Sequence, residues 1–295
     1  MRVSVCICTY KRPGVIDTLN SIAAQHLPEG VDVEVIVVDN DESRFADALV
    51  RLWASDAPIP VTYSVEPKRN IAHARNRALS LASGEWIALI DDDEVADPDW
   101  LKALLVAAER YRADAVIGHV AAVYPSGAPK WFVAADPLSR RWGPSGTVCE
   151  TGSTANALLA AKSVAELEFD PAFGRSGGED TDFFCRLSAG GARIVVENSA
   201  VVRERIPPER LSASYLRRRA VRSGQSYGLI RLRTLSPMGR AGFFAAVLVK
   251  IAAFALAATA LVVLARAASL KLAIRTWLNF GKLRALAGYP MPSLY

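Results

Sequence analysis

Short apolar runs alternate with longer segments of helical pattern along the first 120 residues of the chain. The runs are continuously apolar and rich in β-branched residues, which is typical of strands covered on both faces of a sheet. They predict strands at residues 3–8, 33–38, 61–65, 86–90 and 115–120. The segments between them predict helices at residues 13–25, 43–53, 70–82 and 98–111. Because strands and helices alternate, we predict an α/β fold with a Rossmann-like, mostly parallel sheet flanked by helices.

The pattern becomes irregular from residue 124 to 154, where Pro, Gly, Ser and Trp are frequent, and this predicts a long functional loop. Beyond it we predict a helix at 183–189, a strand at 193–196 and a helix at 211–233. The domain division that follows is one domain over residues 1–235, with halves at 1–120 and 121–235, and a tail over residues 236–295.

Residues 241–265 of the tail are apolar except for Lys250. On a membrane-insertion scale, Lys250 costs about 2.5–3.5 kcal/mol, and the Phe, Val, Leu and Ile residues return about 4 to 7 kcal/mol. Membrane insertion is therefore favoured over a fully buried soluble helix. Basic residues flank both ends, so spanning, re-entrant and in-plane arrangements all remain open. The amphipathic segment 270–280, with Trp277, predicts an interfacial helix beside it.

Three adjacent carboxylates, Asp91, Asp92 and Asp93, follow the predicted strand at 86–90. Such a cluster at the end of a buried strand is unfavourable unless something positive binds it. A hard divalent cation is the leading candidate, and Mg²⁺ usually brings substrate phosphates with it. The alternative is a solvated acidic turn before the next helix. Because ligands of parallel sheets gather at the carboxyl ends of strands, we expect a binding crevice at these residues.

Composition and charge narrow the possible partners. Apolar residues make up 51% of the 295 residues and charged residues 22%, which excludes a disordered chain. Ten arginines lie between residues 203 and 240 and predict contact with an anionic membrane or a phosphorylated substrate. We expect no nucleic-acid partner, because no aromatic platform accompanies these arginines. The four cysteines form no disulfide or zinc pattern, so we predict buried, inert thiols and a reducing cytosolic setting.

Five motifs occur in order along residues 1–230, and together they resemble glycosyltransferase family 2. They are the segments at residues 3–13, 35–40, 74–76, 90–93 and 178–180. The likeness is greatest to bacterial exopolysaccharide enzymes of the succinoglycan type. It implies a GT-A fold over residues 1–235, with a donor half at 1–120, an acceptor and catalytic half at 121–235 and a membrane-associated tail.

The resemblance implies a nucleotide-sugar donor, most simply a UDP-sugar, and a partner on this chain for each of its parts. Thr9, Tyr10 and Arg12 match positions where family members contact the nucleoside. Asp39 matches the position that accepts a hydrogen bond from the uracil ring. The position of Arg75 lies near the diphosphate. Asp91–Asp93 matches the DXD-type metal motif. By analogy Asp91 or Asp92 reaches the ribose, and Asp93, with Asp91, ligates Mg²⁺ or Mn²⁺.

The catalytic base of the family matches Asp180, with Glu179 adjacent and Asp182 a third carboxylate nearby. One base and one in-line displacement imply inversion of the anomeric configuration. Processive members carry a Gln-x-x-Arg-Trp motif that residues 215–224 lack, so we expect addition of a single sugar. The expected acceptor is a lipid-linked saccharide or a polysaccharide, met at the cytoplasmic face of the inner membrane.

Two other functions are alternatives to a glycosyltransferase. A metal-dependent nucleotidyl- or phosphotransferase would need a phosphate loop, and residues 9–14 lack the G-x-x-x-x-G-K spacing. A non-catalytic, membrane-anchored nucleotide-sugar-binding protein would not need the second carboxylate group at 179–182.

Overall fold

A computed structural model describes residues 1–291 and divides them into two compact units. The first, here called the sheet unit, comprises Met1–Ala121, Ser139–Arg175 and Glu179–Glu204. The second, here called the helical unit, comprises Ala122–Leu138, Ser176–Gly178 and the chain from Arg205 onward. Each unit is described by itself below.

The sheet unit begins with four parallel strands in the order β3-β2-β1-β4. They are β1 (Arg2–Thr9), β2 (Asp32–Asp39), β3 (Val61–Val65) and β4 (Trp86–Ile90). The helices that connect them are α1 (Val15–Ala23), α2 (Asp47–Ala54) and α3 (Ile71–Leu81). All seven elements confirm the sequence predictions, because continuous apolar runs and helical periodicity are local signals.

The rest of the sheet is antiparallel. Its strands are β5 (Glu94–Ala96), β6 (Ala115–Val123), β7 (Val148–Cys149), β8 (Asn156–Ala160) and β9 (Ile194–Arg205). Strand β8 pairs antiparallel with both β4 and β6, so β6 runs in the direction of β4 but is not its neighbour. The sheet is therefore mixed, and the expectation of a mostly parallel sheet describes its first four strands. The sequence Asn-Ala-Leu-Leu-Ala of β8 lacks β-branched residues, which explains why its pattern did not predict a strand.

Both faces of the sheet are covered, which accounts for its apolar strands. Alternate residues of β1 point to opposite faces: Val5 and Ile7 lie in one buried cluster, and Cys6 lies in the other. The remaining helices of the sheet unit are α4 (Trp100–Tyr111), α6 (Ala161–Val164) and α7 (Glu179–Ala189). All four cysteines are free, and burial raises the pKa of the Cys8 thiol to about 12. Of the four thiols predicted to be buried, only Cys6 is buried, and Cys8, Cys149 and Cys185 are half-buried.

The helical unit is built from three long helices and a short one. They are α5 (Lys130–Ala135), α8 (Ala213–Thr234), α9 (Pro237–Leu261) and α10 (Arg266–Leu286), with a 3₁₀ turn at Pro208–Arg210. The side chains of Ser212 and Ser236 cap α8 and α9 by accepting hydrogen bonds from Tyr215 N and Gly239 N. The predicted domain boundary at residue 235 falls in the turn between α8 and α9. Helix α5 lies inside the region predicted as a loop.

Helices α8 and α10 approach each other at glycines. A Cβ atom at Gly224 would lie 1.9 Å from the carbonyl oxygen of Leu278, and one at Gly281 would lie 2.0 Å from that of Val221. Gly224 and Gly228 form a small-xxx-small motif, which lets helix backbones come close together. This contact fixes α10 against α8.

Helix α9 confirms the predicted apolar helix, and within the described residues it alone is long and apolar enough to cross a membrane. Only 11% of its most apolar 18-residue stretch is buried. Helix α10 packs antiparallel along α9, since Ser269 Oγ donates to Ala258 O at 2.8 Å while Arg275 lies 5.7 Å from the Phe254 ring. The apolar helix thus has one face on α10 and a wide exposed face.

Candidate active site

The three aspartates after β4 do not share one environment. Thr9, at the end of β1, donates to Asp92 Oδ2 at 2.7 Å, and Asp92 is buried. Arg12 Nη1 lies 3.1 Å from Asp92 Oδ1 and 2.5 Å from Asp93 Oδ2. The side chains of Asp91 and Asp93 remain 35% and 27% exposed. Two outer carboxylates therefore face solvent, while the middle one is turned into the sheet.

Burial raises the pKa of Asp92 to about 7. Arg12 and the hydrogen bond from Thr9 act in the opposite direction, and the neighbouring aspartates add to the rise. The positive charge required by the triple aspartate is thus supplied in part by Arg12. The sequence predicted that Arg12 meets the nucleoside; the structure places its guanidinium on the aspartates.

A buried network that the sequence did not predict holds Asp91 in place. The Asp91 backbone N–H donates to Glu94 Oε2 at 3.0 Å. Glu94 is fully buried and pairs with Arg140 at 2.9 Å, and Arg140 lies 3.2 Å from Glu204. Burial, with Asp91 nearby, raises the pKa of Glu94 well above its usual range, and Arg140 opposes the rise. Arg140 comes from the irregular region, so no local pattern could have paired it with Glu94.

Arg75 on α3 joins the two groups of carboxylates. Its guanidinium hydrogen-bonds to Glu179 Oε1 through Nη1, and its Nη2 lies 3.5 Å from Asp91 Oδ1. The Arg75 side chain is 11% exposed. Burial alone would lower the pKa of Arg75, but Glu179 and Asp91 outweigh it and raise the pKa above its ordinary value. Arg75 therefore stays charged between residues that are 88 positions apart in sequence.

Two asparagines hold the start of α3. The Asn40 side chain, just after β2, donates to the carbonyls of Glu66 and Lys68 at 2.8 and 2.7 Å and accepts from Asn70 N at 3.0 Å. The Asn70 side chain in turn caps α3 by accepting from Ala72 N at 3.0 Å. These bonds fix the helix that carries Arg75 to the end of β2.

Helix α3 also holds the chain that leads to the second carboxylate group. Asn76 exchanges two hydrogen bonds with the Phe169 backbone, at 3.0 and 2.7 Å. Asn70 Nδ2 donates to Pro171 O at 3.0 Å. Phe169 stacks on Phe183 of α7 with ring centroids 4.1 Å apart. The position of α7 relative to Arg75 is therefore set by packing and by backbone hydrogen bonds.

The three carboxylates at the start of α7 have different partners. Glu179 is buried against Arg75, and Asp182 is buried and pairs with Arg186 at 2.8 Å. Asp180 is half-buried, and its Oδ1 accepts from Thr181 N at 2.6 Å. Burial raises the pKa of Glu179; Asp180 adds to the rise, and Arg75 opposes it. Asp180 is thus the carboxylate of the three that is most open to a substrate.

The predicted nucleoside-binding residues lie at the ends of β1 and β2. The Tyr10 ring lies 4.8 Å from the Arg69 guanidinium. Asp39 is fully buried, and its Oδ2 accepts from Tyr63 OH and Ala46 N, each at 2.8 Å. Asp41 N donates to Asp39 Oδ1 at 3.2 Å. A carboxylate has about four acceptor positions, so a base that bonds to Asp39 must use what remains on Oδ1.

Within residues 1–291, no group of three or more His, Cys, Asp and Glu side chains is arranged to hold a metal ion by itself. Mg²⁺ at phosphates commonly takes one or two carboxylates and completes its shell with phosphate oxygens and water. Asp91 and Asp93 supply such carboxylates. Glu179 Oε2 is also a buried acceptor without a hydrogen-bond partner among the described residues. The oxygen-only donor set fits a hard divalent cation that arrives with a phosphorylated ligand.

The sequence of this chain matches known protein families and a characterised relative. A family model described as "Glycosyl transferase family 2" matches residues 4–164, and one described as "Glycosyl transferase family group 2" matches residues 86–283. The succinoglycan biosynthesis protein ExoM of Rhizobium meliloti (strain 1021) is 39% identical over 230 residues, which are 77% of this chain and 74% of that protein.

Two solved structures share the fold. The mannosyltransferase PcManGT from Pyrobaculum calidifontis, in complex with GDP-Man and Mn²⁺, superposes with a TM-score of 0.66 at 21% identity, over 98% of this chain and 88% of that chain. S. aureus TarS 1–349, in complex with UDP-GlcNAc, superposes with a TM-score of 0.56 at 16% identity, over 99% of this chain and 93% of that chain. In another structure of S. aureus TarS the match covers 81% of this chain and 44% of that chain, so this chain spans less than half of its length.

The mixed sheet flanked by helices is a GT-A-like fold, which these structures share. Since a family model covers more than half of its length and ExoM is 39% identical over most of it, the chain belongs to glycosyltransferase family 2. The family resemblance of its motifs is confirmed.

Proposed function

We propose that the chain moves a single sugar from a nucleotide-sugar donor, a UDP-hexose, to a lipid-linked or nascent polysaccharide acceptor, with inversion at the anomeric carbon. The observation that carries this proposal is the contact of Arg75 with both Asp91 and Glu179. It brings the strand-end aspartates together with the start of α7, as a donor diphosphate and an acceptor hydroxyl in one reaction require.

The donor is held by residues at the strand ends. Asp91 or Asp92 contacts the ribose, Arg75 stabilises the diphosphate, and Tyr10 and Asp39 lie on the nucleoside side. Asp93 and Asp91 would hold Mg²⁺ or Mn²⁺, which would supply Lewis-acid chemistry at the diphosphate. PcManGT was solved with GDP-Man and Mn²⁺, which supports a divalent cation for this chain too. Arg12 then shares the charge of Asp92 and Asp93.

Asp180 is the general base of this reaction. The acceptor hydroxyl oxygen bonds to the anomeric carbon, and its proton passes to the Asp180 carboxylate. The bond from that carbon to the donor phosphate oxygen breaks on the opposite face, and its electron pair leaves with the nucleoside diphosphate. An α-linked donor therefore gives a β-linked product. Glu179 is assigned to hold Arg75, because it is buried on that guanidinium.

A panel of UDP- and GDP-sugars, incubated with the full chain in detergent and with membrane lipid extract, tests the function. We expect one donor to be consumed with Mg²⁺ or Mn²⁺, and consumption to fall about 10²-fold or more in EDTA or in Asp93→Asn. Asp99→Asn, which removes an exposed carboxylate of the same segment, is the matched control and keeps activity. Donor binding without any turnover would contradict the proposal and favour a binding protein. Release of the nucleotide, with the sugar neither transferred to lipid nor found free in solution, would favour a phosphotransferase.

Membrane attachment is assigned to α9 lying in the plane of the cytoplasmic leaflet. Helix α10 packs along α9 and carries Lys271, Arg275 and Lys282 on its length. If α9 crossed the bilayer, α10 would carry these charges into hydrocarbon, at about 2.5–3.5 kcal/mol each near the centre. An in-plane α9 avoids this cost and keeps both basic flanks on one side.

Cysteine labelling in intact cells tests this arrangement. Leu264 in the turn after α9 is 86% exposed, and Leu52 on α2, at 73% exposed, provides a matched position in the sheet unit. We expect an impermeant maleimide to label neither Leu264→Cys nor Leu52→Cys until detergent is added. Labelling of Leu264→Cys alone in intact cells would show that α9 spans the membrane.

A further inference from the structure

The helical unit contains an open cavity of about 830 Å³ between α8 and α10. Its α8 side is formed by residues at helical spacing, Tyr215, Arg218, Arg222 and Gln225, and its α10 side by Trp277, Phe280 and Arg284. Because α8 and α10 touch at Gly224 and Gly281, the wall between these two stripes is fixed by backbone contact.

The lining is strongly cationic. Among the ten lining residues that the structure describes, five are arginines and none is a carboxylate: Arg217, Arg218, Arg219, Arg222 and Arg284. A cluster of positive charges of this density attracts a multiply charged anion. Guanidinium groups bind phosphate oxygens in pairs, with a fork geometry that lysine lacks. The cavity therefore selects a multiply charged phosphate ligand over a single carboxylate.

One arginine of the cavity, Arg284, is held in place by the buried side chain of Gln225. The Gln225 side chain is fully buried and donates to the carbonyls of Tyr289 and Pro290 at 2.7 and 3.1 Å. Its Oε1 accepts from Arg284 Nε at 3.3 Å. Fixing one guanidinium before a ligand arrives lowers the entropy lost on binding.

The rest of the lining is suited to an organic group attached to the phosphates. Tyr215, Trp277 and Phe280 offer apolar faces beside the arginines, and Phe280 is 47% exposed. The same unit contains α9, whose wide apolar face is exposed. A ligand with both a phosphate head and a hydrocarbon chain matches these features, whereas a free nucleotide needs no apolar helix nearby.

Helix α8 also contacts the short segment Ser176–Gly178 of the helical unit. Ser226, next to Gln225, donates to Gly177 O at 2.9 Å. Gly177 and Gly178 have φ angles of 81° and 106°, a region that favours glycine, and they lead directly into Glu179 and Asp180. Helix α8 thus contributes both to the cavity and to the contact that holds Gly177.

We propose that this arginine cavity binds the diphosphate head of the lipid-linked acceptor. The assignment rests on the proposed function, because it names the class of acceptor: a saccharide linked through a diphosphate to a long hydrocarbon chain. The arginines contact the diphosphate oxygens, and the aromatic side chains contact the first part of the hydrocarbon chain.

Farnesyl diphosphate, a short lipid diphosphate, is the probe for a direct binding test by calorimetry on the full chain in detergent. EDTA is present, so that Asp91 and Asp93 do not hold the probe through a metal. We expect Arg218→Gln/Arg222→Gln to weaken binding about 10²-fold, since each lost charge-assisted hydrogen bond to a phosphate is worth about tenfold. Arg231→Gln/Lys271→Gln removes the same charge from α8 and α10 outside the cavity and leaves binding unchanged.

Three further measurements complete the test. Arg218→Lys/Arg222→Lys keeps the charge, and we expect it to restore binding in part while the fold is monitored by circular dichroism. Hydrolysis of the donor without acceptor stays at the wild-type rate in Arg218→Gln/Arg222→Gln. Absence of any donor turnover by the wild type, with membrane lipid extract present, would instead contradict the proposed function. Equal probe binding by Arg218→Gln/Arg222→Gln and the wild type overturns the cavity assignment. The assignment is also overturned if Arg218→Gln/Arg222→Gln weakens binding to phosphatidylglycerol vesicles as much as it weakens binding of farnesyl diphosphate. The cavity would then be a general site for anionic lipid.

Discussion

Asp180→Asn is expected to abolish sugar transfer while donor binding stays at the wild-type level. An amide has nearly the size of the carboxylate but does not accept the proton of the acceptor hydroxyl, and general bases contribute about 10²–10⁴-fold to rate. In the proposed site the donor is held by Asp91, Asp93 and Arg75, which the substitution does not touch. Transfer to membrane lipid is measured with radiolabelled donor, and donor affinity is measured by calorimetry on the same preparation.

Asp182→Asn is the matched control for Asp180→Asn. It is the same isosteric change on the same helix, but Asp182 is buried and pairs with Arg186. We expect Asp182→Asn to lower stability and to keep transfer at temperatures where it is folded. Robust transfer by Asp180→Asn together with loss in folded Asp182→Asn would move the base to Asp182.

The residues at the carboxyl ends of the parallel strands could be predicted from sequence, because the apolar runs that mark these strands are a local signal. Apolar runs mark β1 and β4, and parallel topology brings the residues that follow them, Thr9 and Asp91, to one edge. The hydrogen bond from Thr9 to Asp92 follows directly from this arrangement. No knowledge of the second half of the chain was needed.

The partners of the carboxylates could not be predicted in the same way. The sequence indicated that the triple aspartate needs positive charge, and a metal was the natural candidate. The structure shows that Arg12 and Arg75 already supply part of that charge. Pairing of Glu94 with Arg140 and of Arg75 with Glu179 joins residues far apart in sequence, so it depends on tertiary packing that no periodicity encodes.

Strand β8 could not be predicted from its sequence for a related reason. Its sequence has neither alternation nor β-branched residues, yet Asn156 is central to the sheet unit. The Asn156 side chain accepts from Trp100 Nε1 at 2.8 Å and donates to the carbonyls of His119 and Ala200 at 3.0 and 2.9 Å. Such a buried, fully bonded amide specifies the strand through its partners and not through its own propensity.

Arg75→Met is expected to lower the free energy of unfolding of the full chain by about 3–5 kcal/mol, because it leaves Glu179 buried without a counter-charge. Arg75 and Glu179 side chains are 11% and 8% exposed, so solvent does not replace the lost partner. Urea unfolding in detergent, followed by tryptophan fluorescence, measures the change. Arg77→Met, on the exposed face of the same helix, is the control and shifts the free energy by no more than about 0.5 kcal/mol.

The size of this loss depends on pH, and the sign follows from Glu179. Burial already raises its folded pKa above the ordinary 4.5, and Arg75 opposes that rise. Without Arg75 the folded pKa rises further, so the folded state binds a proton more tightly than the unfolded state does. Stability of Arg75→Met therefore falls as pH increases from the ordinary pKa towards the raised one. We expect the deficit to be smaller at about pH 5 than at about pH 8; a deficit equal at both would mean that Glu179 is not the uncompensated charge.

The double variant Arg75→Met/Glu179→Met separates structure from chemistry. Replacing both members of a buried ion pair by apolar side chains is often neutral or stabilising, so we expect stability close to that of the wild type. We expect transfer to stay lost in the double variant, because the proposed diphosphate site has lost its arginine. Recovery of stability without recovery of transfer would show that the buried pair serves the reaction and not the fold. Recovery of both would remove Arg75 and Glu179 from the donor site altogether.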